Sequence, residues 1–239
     1  MILLALKNLL FMRLLLIGFA FLLCSGQSFS QTNRVHTTIV SVAETKSLLN
    51  DSICQSLGIT YPIFRVYRYT DVTGTNYSVM TESNDLITAD GDTVSTKIKV
   101  LHLLEERGQL RRLWEVNDQI KEEETFIRIW TKFVDFGDHD NDGIIEPILV
   151  YGTSALNGYD DGRIKILICG KAQKIGIRHQ NGVLDDERMT TVDATFYHLP
   201  ISIQDAVREK IVLLEENDLA IFPYGWQDAM KQKKLKWKE

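Results

Sequence analysis

Hydrophobic and polar positions change period three times along the chain. From Gln31 to about Thr60 the pattern is mixed, and Val40 to Leu49 reads as a short helix that ends at Asn50-Asp51. After Pro62 the period becomes two: Ile63 to Tyr69 alternates, Asp71 to Gly74 supplies a turn, and Tyr77 to Thr81 returns as the second strand of a hairpin. Asp90-Gly91-Asp92 marks another turn. Lys97 to Leu103 then forms a strand, Glu105 to Gly108 closes it, and Leu110 to Val116 runs back. The two-residue period resumes in Ile148 to Tyr151, Ile164 to Ile168 and Lys174 to Ile177. Toward the C-terminus the spacing of Ala206, Val207, Ile211 and Leu214 is helical, with Ser202 as its expected cap. Pro223 and Gly225 end that helix, and Trp226 to Lys236 reads as a second, shorter one. The expectation is an α+β fold, mainly antiparallel hairpins in a sheet with C-terminal helices. Residues 31–239 are expected to form one domain, since no Pro- or Ser-rich linker and no internal repeat divides them.

The N-terminus follows a different logic. Met12-Arg13 precedes ten residues, Leu14 to Leu23, that are almost all apolar, and Ser28-Phe29-Ser30 offers small side chains at both positions a signal peptidase inspects. Residues 1–30 therefore read as a removable signal peptide, which makes the mature chain periplasmic or secreted and leaves it no transmembrane span. Leu23 before Cys24 does not suit lipidation. The whole chain carries 27 basic and 32 acidic residues, and without Lys7 and Arg13 the balance is 25 against 32. Such an acidic chain is not expected to bind nucleic acid. Cys54 and Cys169 remain, and an oxidising compartment allows one disulfide between them, the alternative being two buried thiols.

One segment carries chemistry. Asp138-His139-Asp140-Asn141-Asp142-Gly143-Ile144-Ile145-Glu146 fits DxDxDGxxE. Carboxylates at alternate positions followed by Gly let a tight loop fold around a hard cation, because the backbone turns sharply only where a Cβ is absent. The expected ligands are Asp138, Asp140, Asp142, the backbone carbonyl of Ile144, and Glu146 directly or through water. Oxygen-only ligation favours Ca2+ over zinc, and magnesium demands stricter octahedral order. His139 lies between ligand positions and is expected to point outward. Counting Asp138 as the first position, the twelfth is Leu149, so the bidentate Glu of an EF-hand is missing, and Pro147 leads into a β run where an exit helix would stand. The segment before the loop, Phe126 to Val134, fits either a helix or a strand, and its β-branched and aromatic residues favour a strand.

This ending resembles the loop of FG-GAP and VCBS-type calcium repeats, in which an acid at the ninth position leads directly into a strand, as Glu146 leads into Ile148-Leu149-Val150-Tyr151. The resemblance covers roughly Phe133 to Tyr151 and implies a calcium site. Those families repeat the loop in several blades, whereas this chain has it once. The export signal, the hairpins and the single DxDxDGxxE loop together also resemble a group of secreted bacterial proteins.

Enzyme signatures are missing from the sequence: there is no HExxH, GxSxG, P-loop or CxxC, and His36, His102, His139, His179 and His198 show no metal-ligand spacing. The expected function is a structural or envelope-associated calcium-binding module whose partner is a cell-surface glycan or an envelope protein. The competing reading is a carbohydrate-active hydrolase that draws paired acids from Asp160-Asp161 and Asp185-Asp186-Glu187.

Overall fold

The computed structural model describes residues 36–170 and 173–238, and contacts gather Val35–Glu239 into one compact unit. The expected signal peptide, residues 1–30, and Cys24 lie outside the described residues. Strand alternation builds two sheets, both antiparallel throughout. The first contains β1 (Thr38–Ile39), β2 (Ile63–Asp71), β3 (Gly74–Glu82), β6 (Lys97–Glu106) and β7 (Gln109–Gln119), side by side in that order. Between β3 and β6 a small separate ribbon is made by β4 (Leu86–Ile87) and β5 (Thr93–Val94). The second sheet runs in the order β14 (Lys236–Lys238), β13 (Met189–Val192), β12 (Gln173–Gln180), β11 (Arg163–Gly170), β10 (Glu146–Ser154) and β8 (Phe126–Ile129). β9 (Asp135–Gly137) pairs with the start of β10.

Alternation along each strand sends successive residues to opposite faces, and the result is four layers. Val66, Tyr77, Val79, Leu101 and Leu103 on the outer face of the first sheet pack under two helices, α1 (Val42–Leu48) and α2 (Asp51–Leu57), through Leu49 and Leu57. The inner face of that sheet, with Met80, Ile98, Val100 and Trp114, meets Ile127, Leu149, Tyr151 and Leu167 of the second. On the far side, Ile148, Val150, Ile166 and Ile177 pack against α3 (Ile201–Glu216) and α4 (Trp226–Lys231). β10 sits at the centre, with every residue buried. The α+β class with mainly antiparallel strands and a helix near the C-terminus is thus the observed fold.

Several local expectations need correction. Asn50 does not close a single helix: its Oδ1 accepts from Ile53 N at 3.1 Å, so it caps α2 while Ser41 caps α1. Ser202 lies inside α3, which starts after Pro200, whose fixed φ already suits a helix entrance. The helix from Trp226 stops at Lys231, and Lys236–Lys238 forms β14 because its alternation buries Trp237 between two exposed lysines. The stretch from Phe126 divides into β8 and β9. No disulfide joins Cys54 and Cys169, which are both free thiols. Cys54 sits on α2 in the outer helical layer and Cys169 in the layer between the sheets, so the first sheet separates them. Burial pushes the Cys169 thiol up to about 12, consistent with an inert core residue.

Candidate metal centre

The DxDxDGxxE segment is the connection between two paired strands, with Gly137 of β9 opposite Glu146 of β10. To turn within that span the chain enters the left-handed region at Asn141 (φ 60°) and Gly143 (φ 85°). Gly143 is required twice over, by its φ and because a Cβ there would stand 2.7 Å from Cγ1 of Val72. The loop amides close on its own carboxylates. Asp142 N donates to Asp138 Oδ1 (3.1 Å) and Asp140 Oδ1 (3.2 Å), and Gly143 N donates to Asp138 Oδ2 (3.0 Å). His139 N donates to Glu146 Oε2 at 3.1 Å.

Carboxylate oxygens of Asp138, Asp140 and Glu146 all lie within 4.8 Å of one another, close enough for one ion to bridge. Asp142 stands outside that group, exposed, with Oδ1 accepting from Ile144 N at 2.9 Å; Ile144 is half-buried in the same turn. Among the described residues no Lys or Arg pairs with Asp138, Asp140 or Glu146. Glu146 is 5% exposed, and its carboxyl is pushed up to about 7, first by burial and then by the negative charges of Asp140, Asp142 and Asp138, against the opposing pull of the His139 amide. Three acid oxygens facing one point form a donor set for a hard cation.

A second element supports the loop, and its role was hidden in the sequence. The β2–β3 hairpin of the first sheet reaches across: Val72 N donates to Gly143 O (3.0 Å), and Ile145 N donates to Asp71 Oδ2 (3.2 Å). Asp71 Oδ1 in turn accepts from Thr73 N (2.8 Å) and Asn76 Nδ2 (3.3 Å), so its carboxylate holds both its own turn and the loop. The Asp at the head of the Asp71–Gly74 turn was the only sequence signal. Behind this contact His102 is buried, with Nε2 against the Tyr69 hydroxyl (3.1 Å) and Nδ1 against Ser78 Oγ (3.2 Å). Its ring stacks on Trp114 with 4.7 Å between centroids, and burial pushes its pKa down to about 4. With both nitrogens engaged, His102 is a packed core residue.

His139 does not point outward. Its ring is half-buried against Gly137, where a Cβ would lie 2.7 Å from Cε1, and Nε2 is buried with no hydrogen-bond partner among the described residues. The acids considered for hydrolysis lie elsewhere. Asp161 and Glu187 line one open cleft of about 800 Å³ at the other end of the second sheet. Each is engaged in its own turn, Asp161 Oδ2 accepting from Asn157 N (3.1 Å) and Glu187 Oε2 from Leu184 N (3.1 Å). Among the described residues no helix is long and apolar enough to cross a membrane. Compared with protein-family models, with curated proteins and with solved structures, the chain finds no match in any of the three.

Proposed function

We propose that this protein is an exported, calcium-binding structural module, in which one ion held by the Asp138–Glu146 loop fastens the two sheets together. The observation that carries this reading is the convergence of Asp138, Asp140 and Glu146 on one point, with no Lys or Arg paired to these three among the described residues. Asp142 and the Ile144 carbonyl complete the ligand set as the loop tightens on the ion. Calcium supplies positive charge at the buried end of β10, and the Asp71–Val72 contacts pass that stabilisation to the first sheet. The export signal in the sequence supports placement in the periplasm or outside the cell, where millimolar calcium suits a loop of moderate affinity.

Thermal melts of the mature chain in millimolar calcium and in chelator test this directly. A higher melting temperature in calcium is expected, with no equivalent rise in magnesium. Superimposable curves would reduce the segment to an acidic turn.

A further inference from the structure

The cleft that Asp161 and Glu187 line has a volume of about 800 Å³, in the range of binding sites. Its floor is Gln180–Gly182 at the end of β12, and its walls are three turns, at residues 121–124, 155–158 and 182–187. Each wall is tied in place. Arg163 NH2 grips Glu124 Oε2 (2.7 Å), the Asp161 carboxylate holds the 155–158 turn through Asn157, and Arg188 donates to Gly182 O (2.9 Å) and Val183 O (3.1 Å).

These fixed walls present large aliphatic side chains to water. Leu156 is 90% exposed, Leu184 60% and Val183 51%, and all three line the same cleft. Clustered exposed apolar residues in a concave, pre-organised surface mark an interaction site, whereas scattered ones need no explanation. The charge around them is one-sided: Lys121 stands against Glu122, Glu123, Glu124, Asp161 and Glu187. Arg163 neutralises Glu124, but Glu122 and Glu123 are exposed on the rim without an ion pair among the described residues. No aromatic ring lines the cleft, so nothing offers a stacking face to a sugar.

We propose that this cleft docks a basic, apolar segment of a partner protein, its aliphatic side chains packing on Leu156, Val183 and Leu184 while lysine or arginine meets Glu122 and Glu123. Apolar contact supplies the attraction, and the acidic rim selects the sign of the partner's charge. This goes beyond the calcium reading and shares no residue with the loop, so either fails without the other.

The probe is a short labelled peptide of lysine, leucine and serine, titrated into the full mature chain and followed by fluorescence anisotropy. Saturable one-to-one binding is expected. The pair Leu156→Ser and Leu184→Ser should weaken it about tenfold with no change of charge, and the pair Glu122→Gln and Glu123→Gln about tenfold at low salt but little at high salt. Glu209→Gln with Glu216→Gln, on α3, should leave binding intact. All these positions are exposed, so the variants keep the fold, and a melt of each checks that. Leucine variants that bind like wild type would show mere adsorption of a polycation and overturn the proposal. So would a neutral oligosaccharide that binds the cleft when the peptide does not.

Discussion

β10 has an acid cluster at each end, and the two are treated in opposite ways. At its C-terminal end Thr153 donates to Glu124, which together with Asp118 faces Arg163 and Lys165. Burial alone would raise both carboxyls, yet the hydrogen bonds and positive charges of Lys165 at Asp118 and of Arg163 at Glu124 hold them below the usual carboxylate range. At the N-terminal end the same burial acts on Glu146, the charges acting on it among the described residues are those of Asp140, Asp142 and Asp138, and the carboxyl rises to about 7. The same strand therefore carries one cluster that the chain neutralises itself and one whose oxygens could hold a metal ion. A buried carboxyl either meets a compensating charge or keeps its proton, and the two ends of β10 take these two different routes.

The largest test removes the compensation at the first end. Arg163→Met leaves the Glu124 side chain, 6% exposed, without its cation, while Lys165 still pairs with Asp118. Breaking a buried pair by deleting one partner costs about 3 to 5 kcal/mol, because the remaining charge has nowhere to go. Urea denaturation should report a loss of that size, and Glu124→Gln added to Arg163→Met should recover part of it. A loss below about 1 kcal/mol would mean that water already reaches these acids, as at an exposed pair.

Acid sharpens the same contrast. His102 and His179 are buried and neutral, each held down to about 4 chiefly by burial, while unfolded histidine titrates near ~6.5. Between those values the unfolded chain takes up protons that the folded chain refuses, so stability falls as pH drops from about 6.5 to about 4, by roughly 2 to 3 kcal/mol for each residue. Asp118 and Glu124, lowered by pairing, lose their contribution only at still lower pH. Glu146 has the reverse sign, since its folded carboxyl keeps a proton that the unfolded chain has released. In chelator, urea melts between pH 7 and 4.5 should show a net loss, flattened in His102→Phe, which retains a ring between Tyr69 and Trp114. A continuous gain toward acid would show the buried, raised carboxyls of Glu146, Glu82 and Glu215 outweighing both histidines.

The sequence revealed these two ends unequally. The strands were legible because Ile, Val and Tyr alternate with polar residues, and the loop because Asp138, Asp140, Asp142 and Gly143 lie within one short span. What depends on distant neighbours was not legible. Nothing in Asp71-Val72-Thr73-Gly74 says that this turn meets Gly143 and Ile145, 74 positions away at the Asp71 carboxylate. Glu124 and Arg163 are 39 positions apart and become a pair only through sheet register. His139 was expected outside because loop side chains between ligands usually face water, but Gly137 leaves room for its ring. Trp237 shows the same limit: a lysine-rich tail reads as solvated until β13 offers an edge to pair with.

At the second end, the calcium effect should be smaller than the loss of Arg163. With a dissociation constant of roughly 10⁻⁴ to 10⁻³ M, as for many extracellular calcium modules, millimolar ion adds ~0.5 to 1.5 kcal/mol. Glu146→Gln keeps an acceptor for the His139 amide and removes the raised carboxyl. In chelator this variant should be as stable as wild type or more so, and in calcium it should gain nothing. Asp142→Ala should also abolish the calcium increment, whereas His139→Ala should lose some packing and keep the increment. A full calcium response in Glu146→Gln would remove that residue from the ligand set and undo the contrast between the two ends of β10.

The smallest expected effect concerns the hairpin that holds the loop from the other sheet. Asp71→Asn keeps the side-chain shape but leaves one neutral acceptor oxygen for Thr73 N and Asn76 Nδ2 and turns an NH2 toward Ile145 N. Because the turn still closes, stability in chelator should fall by only about 0.5 to 1 kcal/mol. Calcium affinity, read by titration calorimetry, should fall a few fold although Asp71 belongs to none of the converging oxygens, because the loop is no longer pre-ordered by the first sheet. Val72→Ala should add a comparable small loss, since its side chain packs where Gly143 leaves space. If Asp71→Asn instead abolishes the calcium increment as fully as Glu146→Gln, then Asp71 is itself a ligand. The cation would in that case bridge the two sheets directly, and the acid end of β10 would be a site built by both sheets in place of a loop steadied by one of them.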